Sequence, residues 1–315
     1  MRVGIGFDVT QLIIEQVLNG VQLGMFLFLV AAGLTLVFGF MDVINLAHGS
    51  LFMIGAYGMA LFAGLTGSFF LGLLLSLPVV ALCALLIEYL IIRPLYHRDH
   101  LDQVLATFGL ILFINEGTTM LFGRTPLFLN VPDILSGTVA ITDSFSYPLY
   151  RIMIILMGIM VALILWFIIV RTRTGMRIRA GTTNREIVES LGVNIQALNT
   201  AIFVVGALFA GFAGAMAGPL SSVEVGMGEN LLILCFVCIV IGGIGSIRGA
   251  LVGALAVGIF DTMGRAFLPD LLKQFMDNAT ASGIAAGLSS MSIYLLMILV
   301  LVFRPTGLFP VAKAG

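Results

Sequence analysis

Residues 148–170 read PLYRIMIILMGIMVALILWFIIV, and residues 171–179 directly after them read RTRTGMRIR. A stretch of roughly 20 mostly apolar residues is what an α-helix needs to cross a hydrocarbon core about 30 Å thick. Arginines gathered just beyond such a stretch mark the cytoplasmic side, because short basic loops are retained there. The pair therefore predicts a membrane helix that ends at a cytoplasmic arm. Further runs of similar character lie at 11–37, 50–66, 69–92, 103–122, 198–218, 229–247, 249–267 and 288–303. The second and the last of all these runs are short, and 229–267 reads equally as one broken unit or as two crossings. None alternates polar and apolar residues as barrel strands do.

Composition agrees. Hydrophobic residues are 60% of the 315 and charged residues 10%, against about 45–50% and about 25% in soluble domains. Mean hydropathy is +1.15. The expected fold is all-α, a polytopic transmembrane helical bundle in which residues 1–315 form a single domain with about eight to ten helical passages. A net charge of -1 and the lack of basic stretches interleaved with aromatics give no sign of nucleic-acid binding. Cys83, Cys235 and Cys238 lie inside apolar runs and read as small packing residues. The C-x-x-C at 235–238 has no second pair or nearby histidine to complete a zinc site. The run from Gln11 to Val37 is too long for a signal-peptide core and reads as the first membrane helix.

The basic residues set an orientation. Arg93, His97, Arg98 and His100 follow one span, Arg171, Arg173, Arg177, Arg179 and Arg185 another, and Arg248 and Arg304 end two more. The stretch 123–147 has Arg124 as its only basic residue, and 219–230 has Glu224 and Glu229 with none. Placing the first group in the cytoplasm alternates the sides consistently from residue 69 onward. The C-terminus is then cytoplasmic, and the N-terminus is outside if 38–49 is a cytoplasmic turn.

Glycine and polar residues interrupt two runs, at 39–49 (GFMDVINLAHG) and at 242–249 (GGIGSIRG). Backbone that leaves helical geometry at membrane depth must be buried in protein or line water. Paired interruptions of this kind point to a transporter built from an internal repeat. Asp42, Asn45, His48 and Gly49 in the first stretch, and Gly242, Gly243, Gly245 and Ser246 in the second, are the candidate pathway residues. Asp42, Asn45 and His48 would share a face if helical; around a turn they would instead hydrogen-bond the freed backbone. Ionisable groups at membrane depth otherwise default to a functional role, so His48 as a general base oriented by Asp42, or as a proton-coupling group, is a competing expectation. Glu88 reads as interfacial. Glu116, beside Asn115 in an apolar run, either serves the interior or approaches the outer surface.

In the arm at 171–197, Thr183 stands three residues before Glu186 in a capping-box pattern, Ile187, Val188 and Leu191 follow on one face, and Gly192 suits a left-handed helix cap. Such a helix, with Arg177 and Arg185 beside it, either lies on lipid or presents apolar anchors to a cytoplasmic partner. The chain has no G-x-x-x-x-G-K-[ST], so nucleotide energy would come from another polypeptide.

Several motifs in order carry a resemblance: Asn19-Gly20-Val21-Gln22-Leu23-Gly24, Ile44-Asn45-Leu46-Ala47-His48-Gly49 followed by Met53-Ile54-Gly55-Ala56-Tyr57, Gly175-Met176-Arg177, Leu191-Gly192-Val193-Asn194, Gly242-Gly243-Ile244-Gly245-Ser246 and Arg304-Pro305-Thr306-Gly307. Together they span about residues 10 to 310 and resemble the permease family of branched-chain amino acid ABC importers, the shorter of its two permease types. The resemblance implies a bacterial inner-membrane importer with a second permease subunit, two cytoplasmic ATPase subunits docking on the 183–194 helix, and a periplasmic substrate-binding protein. ATP and Mg would be bound by the ATPases, and this chain would hold no cofactor of its own. The family's substrates also include other amino acids, urea, amides and aromatic acids. The family often carries Ala-Glu-Asp or a similar pattern where this chain has Thr182-Thr183-Asn184-Arg185, and 279–288 is unlike typical members. Two other functions compete: an ion-coupled secondary transporter, with Asp42, Glu116 and Asp261 as relay candidates, and an intramembrane enzyme using His48.

Overall fold

The computed structural model describes the backbone of residues 3–142, 145–183 and 185–310, and the side chains within that range except at 3–10, 142, 182–183 and 185–186. The helices are α1 (Val3–Leu36), α2 (His48–Thr66), α3 (Phe69–Ile87), α4 (His100–Phe122), α5 (Leu149–Arg171), α6 (Arg173–Thr183), α7 (Arg185–Ser190), α8 (Ile195–Ala217), α9 (Met227–Gly242), α10 (Ile247–Leu272) and α11 (Asn278–Phe303). Among the described residues, eight helical segments are long and apolar enough to cross a membrane. The chain is thus an all-α polytopic bundle.

The most apolar surroundings belong to α1. Residues Leu27 to Ala32 are completely buried, and the helix packs against α10, α8, α5 and α9. A second layer forms where α2 packs on α3, α8 and α9. By contrast α4, α5 and α11 turn large aliphatic and aromatic side chains outward, among them Phe113, Leu163 and Leu299. That inversion is the expected arrangement when the solvent is lipid, which gives apolar side chains no reason to face inward.

Three features refine the hydropathy reading. The last span begins ten residues earlier than 288, because Asp277 caps α11 by accepting a hydrogen bond from the Thr280 N–H at 3.0 Å. That bond holds the exposed Asp277 carboxyl below the usual carboxylate range. The unfamiliar stretch 279–288 is therefore the first turns of a membrane helix, weakly apolar but helical. Next, α9 has 16 residues, roughly 24 Å of helix and short of a full crossing. It joins α10 through a tight turn, so 229–267 is two helices. Lastly, the loop 123–147 holds a hairpin of β1 (Thr138–Thr142) and β2 (Phe145–Pro148), antiparallel with Val139 opposite Tyr147.

Contacts fix which connections share an end of the bundle. A Cβ on Gly39 would lie 2.5 Å from the Gly245 Cα, and one on Gly181 2.8 Å from the Phe40 ring. Arg93 donates to the Thr200 hydroxyl at 3.0 Å. These pairs bring together the end of α1, the connection after α3, the arm α6–α7 and the α9–α10 turn. The arginine-rich loops of the sequence thus gather at one end. At the other end Leu127 and Val223 exchange backbone hydrogen bonds of 2.9 Å, and the Tyr147 hydroxyl reaches the Asn19 amide at 3.2 Å.

Candidate functional site

The first interruption is a departure from helix, not a kink within one. Val37–Met41 widens into a π-helical turn, and Asp42 then takes a left-handed conformation with φ 56°. Its N–H bonds the Phe38 carbonyl at 3.1 Å, closing the helix end. Residues 43–45 follow without helix or strand, 46–47 form a turn, and α2 begins at His48. Non-helical backbone inside a bundle must find partners for its polar groups. Here α4 supplies them: the Ile44 N–H donates to the Gln103 Oε1 at 3.0 Å and the Leu46 N–H to the Thr107 hydroxyl at 3.2 Å. The Asn45 Oδ1 accepts the Ala47 N–H at 3.0 Å, completing the turn.

Of the two expectations for Asp42, Asn45 and His48, the turn forms and the shared helical face does not. Asp42 is exposed, whereas Asn45 and His48 are fully buried. The His48 Nε2 lies 3.2 Å from the Val30 carbonyl. A carbonyl only accepts, so Nε2 carries the proton and Nδ1 is the bare nitrogen. Nδ1, the Asn45 Nδ2 and the Ser50 Oγ are buried without a hydrogen-bond partner among the described residues. The pairing of His48 with an orienting Asp42 does not form.

The second interruption solves the same problem differently. Gly243 (φ 106°) and Gly245 (φ 82°) turn the chain in conformations that L side chains rarely adopt. Ser246 then caps α10, its hydroxyl accepting from the Gly249 N–H at 3.1 Å. The carbonyls freed at the end of α9 are taken by the C-terminal segment, with the Leu308 N–H to Ile241 at 2.9 Å and the Phe309 N–H to Gly242 at 2.8 Å. The two interruptions meet at the Gly39–Gly245 contact. The far side of the first one is equally close: a Cβ on Gly49 would lie 2.5 Å from the Gly228 carbonyl oxygen, so α2 and α9 begin backbone against backbone.

The arm at the arginine-rich end is two helices where one was expected. Thr183 closes α6 and does not open a helix, and α7 follows from Arg185. Asn184 lies outside the described residues, as do the side chains of Thr183, Arg185 and Glu186 that would form the capping box. Gly192 ends α7 with φ 83°, and its N–H bonds the Glu189 carbonyl at 2.9 Å. Asn194 starts α8 by accepting from the Ala197 N–H at 2.9 Å. The motif Leu191-Gly192-Val193-Asn194 is thus a stop followed by a start. Its three apolar residues also divide: Val188 is 5% exposed and turns inward, while Ile187 at 58% and Leu191 at 77% share one exposed face. Arg177 on α6 is exposed.

Two further polar clusters lie near the spans' ends. Glu88 is fully buried in a π-helical turn after α3 and accepts from Arg93 at 2.9 Å and from the Tyr96 hydroxyl at 2.6 Å. It is no free interfacial carboxylate, since Arg93 ties it to Thr200 on α8. Near the other end, the Asn115 amide donates to Glu229 at 2.6 Å, while Glu116 is exposed on the outer face of α4. Among the described residues no group of three His, Cys, Asp or Glu side chains is placed to hold a metal ion. Gln103 and Thr107 escaped sequence reading: their signal was a polar pair at i, i+4 inside an apolar helix.

A protein-family model described as branched-chain amino acid transport system / permease component matches residues 16–301. The high-affinity branched-chain amino acid transport system permease protein BraD of Pseudomonas aeruginosa is 29% identical over 314 residues, covering 94% of this chain and 95% of that one. The corresponding LivH protein of Escherichia coli K12 is 28% identical over 309 residues, covering 94% of each. A fructose import permease protein, FrcC of Rhizobium meliloti, is 34% identical over 114 residues, 34% of this chain. No solved structure matches.

Proposed function

From the premise that this chain belongs to the permease-component family of branched-chain amino acid transport systems, we propose that it is the membrane-spanning subunit of an ATP-driven importer for branched-chain amino acids. The arginine-rich end faces the cytoplasm, and the C-terminus with it, in a bacterial inner membrane. A second permease completes the pathway, two ATPases dock on the arm, and a periplasmic binding protein delivers the solute. The observation that carries this reading is the near full-length likeness to BraD and LivH, whose names specify branched-chain amino acid transport.

The geometry of the arm supports coupling through it. Ile187 and Leu191 form an apolar pair at i, i+4, the spacing at which a helix fills a groove on a partner. The four residues 191–194 join α7 to α8, with Gly192 as the stop and Asn194 as the cap, and Arg93 links α8 to α3. A displacement of α7 therefore reaches the helices that border both interruptions. Asn45, His48 and Ser50 lie beside the close contact of α2 with α9, and they keep polar atoms without a hydrogen-bond partner among the described residues. The ion-coupled alternative needs carboxylates in sequence. Its candidates are scattered: Asp42 and Glu116 are exposed on separate elements and Asp261 is bound to Arg265.

The test is ATP hydrolysis by the reconstituted complex in the presence of binding protein and leucine. Loaded binding protein is expected to stimulate the wild type, and Leu191→Arg to lose the stimulation or the ATPase itself. An unchanged Leu191→Arg rejects the arm as the coupling element. Uptake that follows a proton gradient with no ATPase attached rejects the importer.

A further inference from the structure

Between α1, α5 and α10, at the end away from the arginine-rich loops, lies an open cleft of about 500 Å³ lined by polar side chains. The volume falls in the roughly 300–1,000 Å³ range of small-molecule sites. Its base is closed by backbone packing: a Cβ on Gly20 would lie 2.6 Å from the Ile259 Cα, and Thr262 donates to the Gln16 carbonyl at 3.1 Å. The motif Asn19-Gly20-Val21-Gln22 accordingly has two duties, with Gly20 sealing α1 to α10 and Asn19 and Gln22 lining the cleft.

The charges there are unusual for a membrane helix. Asp261 stands about three turns inside the end of α10, and its two oxygens accept from the Arg265 Nε at 2.8 and 2.9 Å. The Arg265 side chain is 55% exposed and that of Asp261 10%. Arg151 lies in the first turn of α5, where the helix dipole disfavours a cation. Its hydrogen bonds go to the neutral Asn19 amide oxygen and to the Tyr147 hydroxyl, and among the described residues no carboxylate lies within ion-pair distance of it. Two guanidiniums and one carboxylate therefore line one cleft, and the Glu15 carboxylate lies close enough to act on the neighbouring Tyr147. Charged groups at such depth are costly and face a water-filled route or a partner. Arg151 in particular is placed where an anion would be stabilised by both its fork and the dipole of α5.

We propose that this cleft is a transient site for the zwitterionic head of an α-amino acid, with the carboxylate on Arg151 and the ammonium on Asp261. The inference rests on the importer reading and adds to it a contact made by the permease itself after the binding protein releases its solute. The aliphatic side chain of the amino acid meets Leu23 and Ala266 at the edge of the same cleft.

The experiment uses the assembled transporter in proteoliposomes, with Cys83→Ser to remove the half-buried thiol and Ala266→Cys as reporter. A membrane-impermeant maleimide is added on the binding-protein side. Leucine is expected to slow labelling several-fold, whereas isoamylamine, which lacks the carboxylate, and isocaproate, which lacks the ammonium, do not. Adding Arg151→Gln should abolish the preference for leucine over isoamylamine, and Arg151→Lys should restore part of it. A purely structural Arg151 predicts no change in that preference. No labelling, labelling from the arginine-rich side alone, or labelling indifferent to leucine overturns the site, the first of these because the second permease then covers the cleft. Leucine uptake by the wild type is measured in parallel. Normal uptake with indifferent labelling rejects the cleft alone, and absent uptake with a loaded binding protein rejects the importer.

Discussion

The interruptions at 37–47 and 243–246 have the same look in sequence, glycines mixed with polar residues between apolar runs, yet they satisfy their backbone by opposite means. In the first, the one left-handed residue is Asp42, and the freed N–H groups are taken by side chains of α4. Its glycines, Gly39 and Gly49, serve close approach to other helices. In the second, Gly243 and Gly245 are themselves the left-handed residues, and the freed carbonyls are taken by main chain from the C-terminal segment. A glycine-polar interruption therefore announces that backbone has left the helix, but not who pairs with it. The first is held by chemistry that a single side-chain substitution can remove; the second is held by backbone and is sensitive mainly to conformation.

The largest effect that follows is at Gln103. Its Oε1 accepts from Ile44, and its Nε2 donates to the Leu95 and Arg98 carbonyls, each at 3.2 Å. Gln103→Leu strands one buried N–H and weakens two carbonyl contacts, at about 1–3 kcal/mol for a buried group left unpaired. A loss of about 3 kcal/mol is expected in the unfolding free energy of the purified complex. Gln103→Glu keeps the acceptor but turns a carboxylate oxygen toward those two carbonyls in a buried site, and should lose at least as much. If Gln103→Leu changes stability by no more than Gln→Leu on an exposed helix, α4 does not hold the first interruption and the contrast collapses.

At the second interruption the matching test is conformational. Gly243→Ala must adopt φ 106° and brings a Cβ within 2.8 Å of the Phe309 carbonyl oxygen. Strain of this kind costs roughly 1–3 kcal/mol, so about 2 kcal/mol is expected in the same measurement. Gly39→Ala, at the meeting point of the two interruptions, tests close approach without a positive φ. Equal losses at Gly243 and Gly39 would mean that sterics alone governs both.

Hydropathy was enough for most of the fold: the run 148–170 became Leu149–Arg171 and 103–122 became His100–Phe122. It failed where something other than apolar length sets the boundary. The start of α11 is fixed by the Asp277 cap in front of a weakly apolar stretch, and the division of the arm at Thr183 is a local event that a single capping pattern concealed. At the candidate site, the sequence showed that residues 39–49 and 242–249 depart from helix. It could not show that they touch at Gly39 and Gly245, because the contact spans most of the chain. Gln103 and Thr107 bond residues 59 and 61 positions away, and Arg151 reaches Asn19 across 132. Polar residues whose partners are that remote carry no local pattern to read, whereas Gly192, whose partner is a neighbour, was legible as a helix stop.

The smallest effects separate two independent interruptions from one coupled unit. Thr107→Val removes the acceptor of the Leu46 N–H, and Ser246→Ala removes the cap of α10. Each is expected to cost about 1 kcal/mol. The two side chains belong to different breaks, and sites without shared partners add to within about 0.3–0.5 kcal/mol. Additivity in the double variant would leave the interruptions as neighbours that pack through Gly39 and Gly245 without exchanging energy. A double variant that loses clearly less than the sum means that one break already loosens the other, as expected if both open together when the arm moves. Repeating the cycle with the ATPases trapped in their ATP-bound state then asks the functional question: coupling that appears in one state and vanishes in the other would identify the paired interruptions as the element that moves.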